Sequence, residues 1–329
     1  MKRYSFAPVI ALMVLAVAVG TAFSAERNVT LIFSNVTSQS AIDAGKIFKQ
    51  VAEKESGGSL TIDIYDGNML GDDRVIIEGT IFGDIDIAAS STSPMANVFP
   101  DFFIFDSPYL FLNTEHAFAG LDGEAGVNIL NNMEKKGLKG LAFWENGFRN
   151  FTNNNVPVRL PEETTGMRIR TMENEIHLAA WRAFGARPTP MAFTELFEAL
   201  KQGIVDGQEN PLGIIDGNNF QEVQKYISMT QHVYTPFILC MNADRYNSLS
   251  ANQKAAIDKA AQESTIYQRN RSQELEKEIL EKCEALGVVV THLTPEEKKA
   301  WQDIVIEAKI FDLVKNKMDN PSFLDQLLN

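Results

Sequence analysis

Residues 166–211 read GMRIRTMENEIHLAAWRAFGARPTPMAFTELFEALKQGIVDGQENP, and this stretch decides the fold of the chain. Apolar and basic residues alternate with a period of two from Met167 to Arg170, which predicts a strand with both of its arginines on one face. Arg170 is the last residue of that alternation. A strand end that leads into a helix is where ligands commonly lie in open α/β sheets. The stretch therefore predicts an α/β fold with Arg170 near a ligand site.

Two helices are predicted after this strand. Apolar residues recur every four positions from Ile176 to Phe184, a spacing that indicates one helix face. A second, short helix is expected over roughly residues 195–202, with Thr194 as its N-cap and Gly203 as its terminator. The alternation of strand and helix supports the α/β assignment.

Two strings in this stretch resemble a known family. PTPMAF at residues 188–193 and VDGQENP at residues 205–211 are similar to segments of the solute-binding proteins of tripartite ATP-independent periplasmic (TRAP) transporters, the dicarboxylate-binding (DctP) type. LGDDR at residues 70–74 and GFRNFTNN at residues 147–154 extend the likeness to nearly the whole mature chain. The resemblance implies a two-lobed binding protein with mixed sheets flanked by helices and a ligand cleft between the lobes.

The resemblance also implies a function. It is the extracytoplasmic capture of a small organic acid anion and its delivery to a small and a large membrane subunit, which use an ion gradient instead of ATP. Three alternatives stay open: a small sulfonate ligand, the binding protein of an ATP-dependent transporter, and a secreted enzyme on the same fold. The ligand is also open among sugar acids, hydroxy or keto acids, amino acids and sulfonates.

The family's ligand-binding residues map onto this sequence. Arg170 matches the arginine that binds the acidic group of the substrate, and Arg149 matches a second ligand-binding arginine. A guanidinium suits this role because its planar fork of donors fits a carboxylate through two parallel hydrogen bonds. From the residues alone, an ion pair between Arg170 and Glu173 or Glu175 is an equally good interpretation. The other positions implied by the resemblance are Asn210, Phe193, Glu173 and Asn174.

Polar residues that follow predicted strands supply further candidate ligand contacts. The first strand ends at Ser34, and a buried strand ends in a run of hydroxyls that includes Ser90 and Ser91. For any single hydroxyl, turn chemistry is the simpler interpretation. The loop DGNMLGDDR is not an EF-hand, because Leu70 stands where the fifth position needs an oxygen ligand. Asp73 is a candidate ligand contact, although capping of the next helix is the favoured role.

The first 25 residues are interpreted as an export signal. Two basic residues precede an apolar run at residues 7–20 that is too short to serve as a permanent membrane anchor. Cleavage after Ser24 and cleavage after Ala25 both stay open. The mature protein is expected in the periplasm.

About 300 residues remain after the signal, which exceeds the usual size of a single core and predicts two lobes. We expect lobe I to comprise residues 26–147 and 236–275, and lobe II residues 148–235 and 276–329. A long, charge-rich helix over about residues 252–286 is expected to lie across both lobes.

Charge and missing motifs exclude several classes of function. The formal net charge of −13 argues against nucleic acid and anionic membranes as partners. The histidines and cysteines lack metal-ligand spacing, and no nucleophile or phosphate-loop motif is present, so no metal, cofactor or catalytic residue is predicted. Cys240 and Cys283 are expected to be unpaired, since one lies in an apolar strand and the other in a charged helix. A monomer is expected.

Overall fold

The computed structural model describes residues 27–328, so the predicted export signal lies outside the described residues. Its strands are β1 (Val29–Ser34), β2 (Leu60–Tyr65), β3 (Ile87–Ser91), β4 (Leu138–Asn153), β5 (Arg168–Thr171), β6 (Arg187–Pro190), β7 (Gly207–Pro211), β8 (Tyr226–Asn242) and β9 (Val289–His292). Its helices are α1 (Gln39–Glu55), α2 (Asp73–Phe82), α3 (Thr92–Met95), α4 (Thr114–Asp122), α5 (Glu124–Asn132), α6 (Glu175–Ala183), α7 (Leu196–Lys201), α8 (Leu212–Gly217), α9 (Ala243–Ser248), α10 (Ala251–Ala285), α11 (Pro295–Glu307), α12 (Ile310–Lys317) and α13 (Ser322–Leu328). Among these helices, none combines the length and the apolar composition that crossing a bilayer requires.

The strands form one mixed sheet in the order β2-β1-β3-β8-β4-β7-β5-β6, with β9 paired to β8. The pairs at the two ends of the sheet are parallel, whereas the central pairs β3–β8, β8–β4 and β4–β7 are antiparallel. Strands β4 and β8 have 16 and 17 residues and pair along most of their length. The sheets expected for two lobes are therefore continuous through these two long strands.

The hydrophobic core lies in two clusters that follow the two faces of this sheet. Along β4, Phe143 belongs to one cluster and Trp144 to the other, and along β8 Ile238 and Leu239 divide in the same way. Alternation of side chains along a strand produces this division. Helix α10 packs on the second cluster, to which Ile257 and other residues of its first half contribute. The lobe boundaries given above remain a prediction.

Most predicted elements are present, with one wrong cap. Helix α6 ends before Gly185, whose φ of 91° suits the glycine stop. Helix α7 is not capped by Thr194, because that residue lies inside a 3-10 turn, Phe193–Glu195, that precedes the helix. Cys240 and Cys283 are both buried and unpaired.

Strand β4 is irregular where it crosses the middle of the sheet. Its register against β8 shifts between Glu145 and Gly147, and Gly147 has a φ of 106°, which a glycine adopts without strain. Gln268 of α10 donates a hydrogen bond to the Glu145 carbonyl and accepts one from the Glu145 N–H, both at 2.7 Å. The long helix is thus fastened to the bulge in β4.

Glu145 makes the stability of the protein depend on pH. Its side chain is buried, and burial raises its pKa to about 7 although Gln273 donates to both carboxylate oxygens at 2.8 and 2.7 Å. The raised pKa means that the folded state binds this proton more tightly than the unfolded chain. The free energy of unfolding therefore falls as the pH rises from about 4.5 to about 7. Glu145→Gln is expected to remove this loss and to stabilise the protein at pH 8 by up to about 3 kcal/mol.

Urea unfolding of both proteins at pH 5 and pH 8 measures this effect. Glu274→Gln is the matched control, because Glu274 is an exposed glutamate next to Gln273 in α10. An identical pH dependence in wild type and Glu145→Gln would show that the Glu145 carboxylate does not destabilise the fold.

Candidate functional site

A cleft of about 600 Å³, including the part open to solvent, lies at the ends of β3, β5 and β7 and beside the bulge of β4. Most of the candidate ligand residues from the sequence line it, although they come from distant parts of the chain. The lining residues among the candidates are Asp73, Ser91, Arg149, Arg170, Glu173, Phe193 and Asn210.

Arg170 lines this cleft and has one guanidinium nitrogen without a partner among residues 27–328. Its Nε and Nη2 both donate to the Met191 carbonyl, at 3.0 and 2.8 Å, whereas Nη1 is buried and has no hydrogen-bond partner in the described part of the chain. The guanidinium carbon lies 5.8 Å from the centre of the Phe193 ring. Burial lowers the pKa of Arg170 to about 10, so the side chain remains charged at neutral pH. A buried cationic donor without a partner is costly unless an anion binds to it.

The alternative ion pair of Arg170 does not form. Within residues 27–328, Arg170 makes no salt bridge, and Glu175 is instead paired with Lys317. Glu173 is exposed at the rim of the cleft. The charge of Arg170 is therefore available to a ligand.

Local pairing explains the orientation of Arg170. Strand β5 pairs in parallel with β6, and Arg170 lies opposite Thr189. The chain that leaves β6 then brings Met191 beside the end of β5, where its N–H donates to the Thr171 carbonyl at 3.3 Å. The PTPMAF string thus supplies both the carbonyl that anchors the guanidinium and the aromatic ring beside it.

Arg149 also lines the cleft, but its charge is already paired. It is fully buried, and its Nε and Nη2 lie 2.5 and 3.0 Å from the carboxylate oxygens of Glu209. Nη2 also donates to Oδ1 of Asn210 at 3.0 Å. The antiparallel pairing of β4 with β7 places these residues side by side. Arg149 therefore contributes less net positive charge to the cleft than Arg170.

Glu209 belongs to a buried ionic network behind the cleft. Its Oε2 lies 3.1 Å from Nε2 of His232, and its Oε1 lies 3.6 Å from Nδ1 of His177. Nε2 of His177 lies 3.0 Å from Asp106. Burial alone would raise the pKa of Glu209, but Arg149 and His177 hold it well below its usual range. Burial opposes charging of His177, yet Glu209 and Asp106 raise its pKa to about 9.

The sequence reasoning missed this network. The spacing of the histidines bears only on metal binding, and Glu209 stands in a string that indicates the family but not an ionic partner. The available signal was Glu209 itself, a carboxylate beside Asn210 in the VDGQENP string, which requires a cationic partner if it is buried. Its partners lie 23 to 60 positions away along the chain, as the separations of His232 and Arg149 from Glu209 show.

Three candidate residues do not line the cleft. Asn174 caps α6 by accepting from the Ile176 N–H at 2.9 Å, and its amide donates to Asp106 at 2.7 Å. Ser90 donates its hydroxyl to Asp73 at 2.7 Å. Ser34 is fully buried outside the cleft lining. These three residues are outside the cleft lining, and their contact with a ligand stays a prediction.

The two aspartates of the LGDDR string have different roles. Asp72 is the N-cap of α2, since its Oδ1 accepts from the Val75 N–H at 3.0 Å. Asp73 is the first residue of the helix, and its Oδ1 accepts from the Ser90 hydroxyl and from the Ser91 N–H. The predicted cap is thus provided by Asp72, which leaves Asp73 on the cleft wall.

Comparison with known proteins places these features in a family. Residues 33–309 match the bacterial extracellular solute-binding protein family 7 (DctP). The 2,3-diketo-L-gulonate-binding periplasmic protein of Escherichia coli is 35% identical over 260 residues, which are 79% of each chain.

Two solved structures are similar throughout. The sugar acid binding protein of Advenella mimigardefordensis in complex with galactonate has a TM-score of 0.88 at 34% identity, covering 92% of this chain and 97% of that chain. A TRAP periplasmic solute-binding protein from Polaromonas bound to D-erythronate has a TM-score of 0.86 at 33% identity, covering 92% and 98%. The fold is therefore the two-lobed fold of this class.

Proposed function

The chain belongs to family 7 of the bacterial extracellular solute-binding proteins, the family of TRAP solute-binding proteins, and on that premise we propose that Arg170 binds the carboxylate of a small organic acid in the cleft. The observation that carries the proposal is that Arg170 lines the cleft while its buried Nη1 has no hydrogen-bond partner within residues 27–328. A carboxylate there would give this donor a partner and would neutralise the guanidinium.

The surroundings of Arg170 favour binding of an anion over catalysis. The Met191 carbonyl fixes two of its donors, so little side-chain freedom is lost when a ligand binds. The ring of Phe193 lies beside the guanidinium, within the distance at which an aromatic face attracts a cation. These contacts orient one carboxylate, and they provide no activated nucleophile.

Arg149 and Asn210 have a supporting role in this proposal. The Asn210 amide donates to Gln208 at 2.5 Å, and its oxygen accepts from Arg149. Both residues line the cleft, on the strands β4 and β7 that continue the sheet from β5. They would contact a bound acid from the side, while Arg170 carries the main charge interaction.

Capture and delivery follow from the fold in this proposal. The protein works in the periplasm as a monomer, closes its lobes around the acid, and delivers it to the small and large membrane subunits of a TRAP transporter. Closure is favoured because the closed form makes more contacts with the ligand than the open form does. Sugar acids are the first acids to test, because two similar proteins bind galactonate and D-erythronate.

A thermal-shift screen against sugar acids, hydroxy acids, dicarboxylates and sulfonates, followed by calorimetry, tests the proposal. A cognate acid at 100 times its dissociation constant is expected to stabilise the protein by about 2.7 kcal/mol. If only a sulfonate binds, the ligand class is sulfonates and not carboxylates. Conversion of an acid to product during incubation would favour the enzyme alternative.

A further inference from the structure

We infer that Asp73 selects a monocarboxylate that bears hydroxyl groups away from its acid group, and that it disfavours ligands with a second negative charge. The inference rests on the proposed function, because it takes the carboxylate of the ligand to lie at Arg170. It concerns the part of the ligand beyond the carboxylate, which Arg170 does not select.

Two hydrogen bonds to Oδ1 hold the carboxylate of Asp73 in place, and Oδ2 is available to a ligand. Oδ1 accepts from the Ser90 hydroxyl at 2.7 Å and from the Ser91 N–H at 2.9 Å. Oδ2 has no hydrogen-bond or ion-pair partner among residues 27–328, and Asp73 lines the same cleft as Arg170. An ionised carboxylate oxygen only accepts hydrogen bonds, so its natural partner is a donor such as a hydroxyl group.

The positive charges of the cleft do not provide a second anion site. Arg149 is neutralised by Glu209. Arg74 is largely exposed and lies 3.9 Å from Glu78, so its charge is screened by water and by that carboxylate. Arg170 is therefore the one buried guanidinium of the cleft that has no carboxylate partner within the described residues.

The negative charges of the cleft act against a dianion. Asp72, Asp73 and Glu173 all line the wall. A dicarboxylate bound at Arg170 would bring its second acid group to this acidic wall, where like charges repel and Oδ2 of Asp73 finds no donor. A sugar acid with one carboxylate would place hydroxyl donors there instead. The cleft is therefore expected to bind a hydroxylated monocarboxylate more tightly than a dicarboxylate.

Matched ligand pairs test this inference with the full-length mature protein. Each pair has the same carbon skeleton with one or two carboxylates: galactonate with galactarate, gluconate with glucarate, and erythronate with tartrate. Calorimetry on the wild type is expected to show binding of at least one monocarboxylate at least about tenfold tighter than its dicarboxylate partner. This comparison needs no variant, so it holds even if substitutions impair folding.

Asp73→Asn then identifies the residue responsible. It keeps the shape and an oxygen acceptor but removes the charge, so it should weaken monocarboxylate binding and reduce the preference for the monocarboxylate by about tenfold. Asp84→Asn removes one negative charge just beyond the other end of α2, on an exposed residue, and should leave the preference unchanged.

Two outcomes overturn the inference and can be told apart. If the wild type prefers the dicarboxylates, or if Asp73→Asn keeps the wild-type preference while Arg170→Ala abolishes binding, Asp73 is not the selector and the proposed function stands. If no acid of either kind binds, or if Arg170→Ala binds them as the wild type does, the proposed function fails together with the inference.

Discussion

Replacing Arg170 by alanine is expected to weaken binding of the cognate acid by about 2–5 kcal/mol, or roughly 30- to 5,000-fold in the dissociation constant. The variant leaves a ligand carboxylate in a cleft whose other buried guanidinium, Arg149, is already bound to Glu209. It also removes the buried Nη1 donor, which has no hydrogen-bond partner within residues 27–328. Isothermal titration calorimetry with the acid found in the screen measures the loss.

Two further variants separate the geometry of Arg170 from its charge. Arg170→Lys keeps a positive charge but not the planar fork, so it should recover part of the lost affinity. Arg168→Ala removes an arginine of the same strand that is exposed and paired with Asp206, and its affinity should equal that of the wild type. Wild-type binding by a folded Arg170→Ala would contradict the proposed role of this residue.

The largest effect on stability is expected at Glu209. Glu209→Gln leaves the buried Arg149 without its carboxylate and removes one of the two carboxylates that face His177. Removing one partner of a buried ion pair costs about 3–5 kcal/mol, because an uncompensated charge then remains in the protein interior. Urea unfolding at pH 7 measures the change in the free energy of unfolding.

The surface pair Arg168–Asp206 is the control for this prediction. Nη2 of Arg168 lies 2.6 Å from Oδ1 of Asp206, nearly as close as the buried pair of Arg149 and Glu209, but both residues are partly exposed. Asp206→Asn should therefore cost less than about 1 kcal/mol. The lowered pKa of Glu209 means that its contribution is present above its unfolded pKa and is lost as the pH falls through its folded pKa. If Glu209→Gln and Asp206→Asn lower the free energy of unfolding by the same amount, the buried network does not stabilise the protein more than the surface pair does.

The secondary structure was largely predictable from local patterns. Alternation alone delimits β2 at Leu60–Tyr65, and the Thr294-Pro295 start of α11 follows from capping rules. Thr194 was misassigned because a 3-10 turn before α7 displaces the helix start, and propensity carries no signal for such a turn. The sequence also did not predict that all of these strands join into one sheet. The pairing of β4 with β8 joins residues that are about 90 positions apart, and local patterns do not reveal such pairs.

The candidate site was predictable in its outline but not in its charge balance. Arg170 and Phe193 were named from the sequence and lie together in the cleft, because the strand end and the PTPMAF string are neighbours in the sheet. Whether a guanidinium is free or paired depends on residues brought close by folding, so the sequence could not show that Arg149 is paired and Arg170 is not. Asn174 has the residue type of a ligand contact, but it is used as a helix cap.

The most direct test is a crystal structure of the protein with a bound acid from the screen. We predict a carboxylate oxygen within about 3 Å of Nη1 of Arg170, while Nε and Nη2 of the same side chain remain on the Met191 carbonyl. A ligand whose carboxylate lies elsewhere, with Nη1 of Arg170 still unbound, would contradict the proposal that this guanidinium captures the acid.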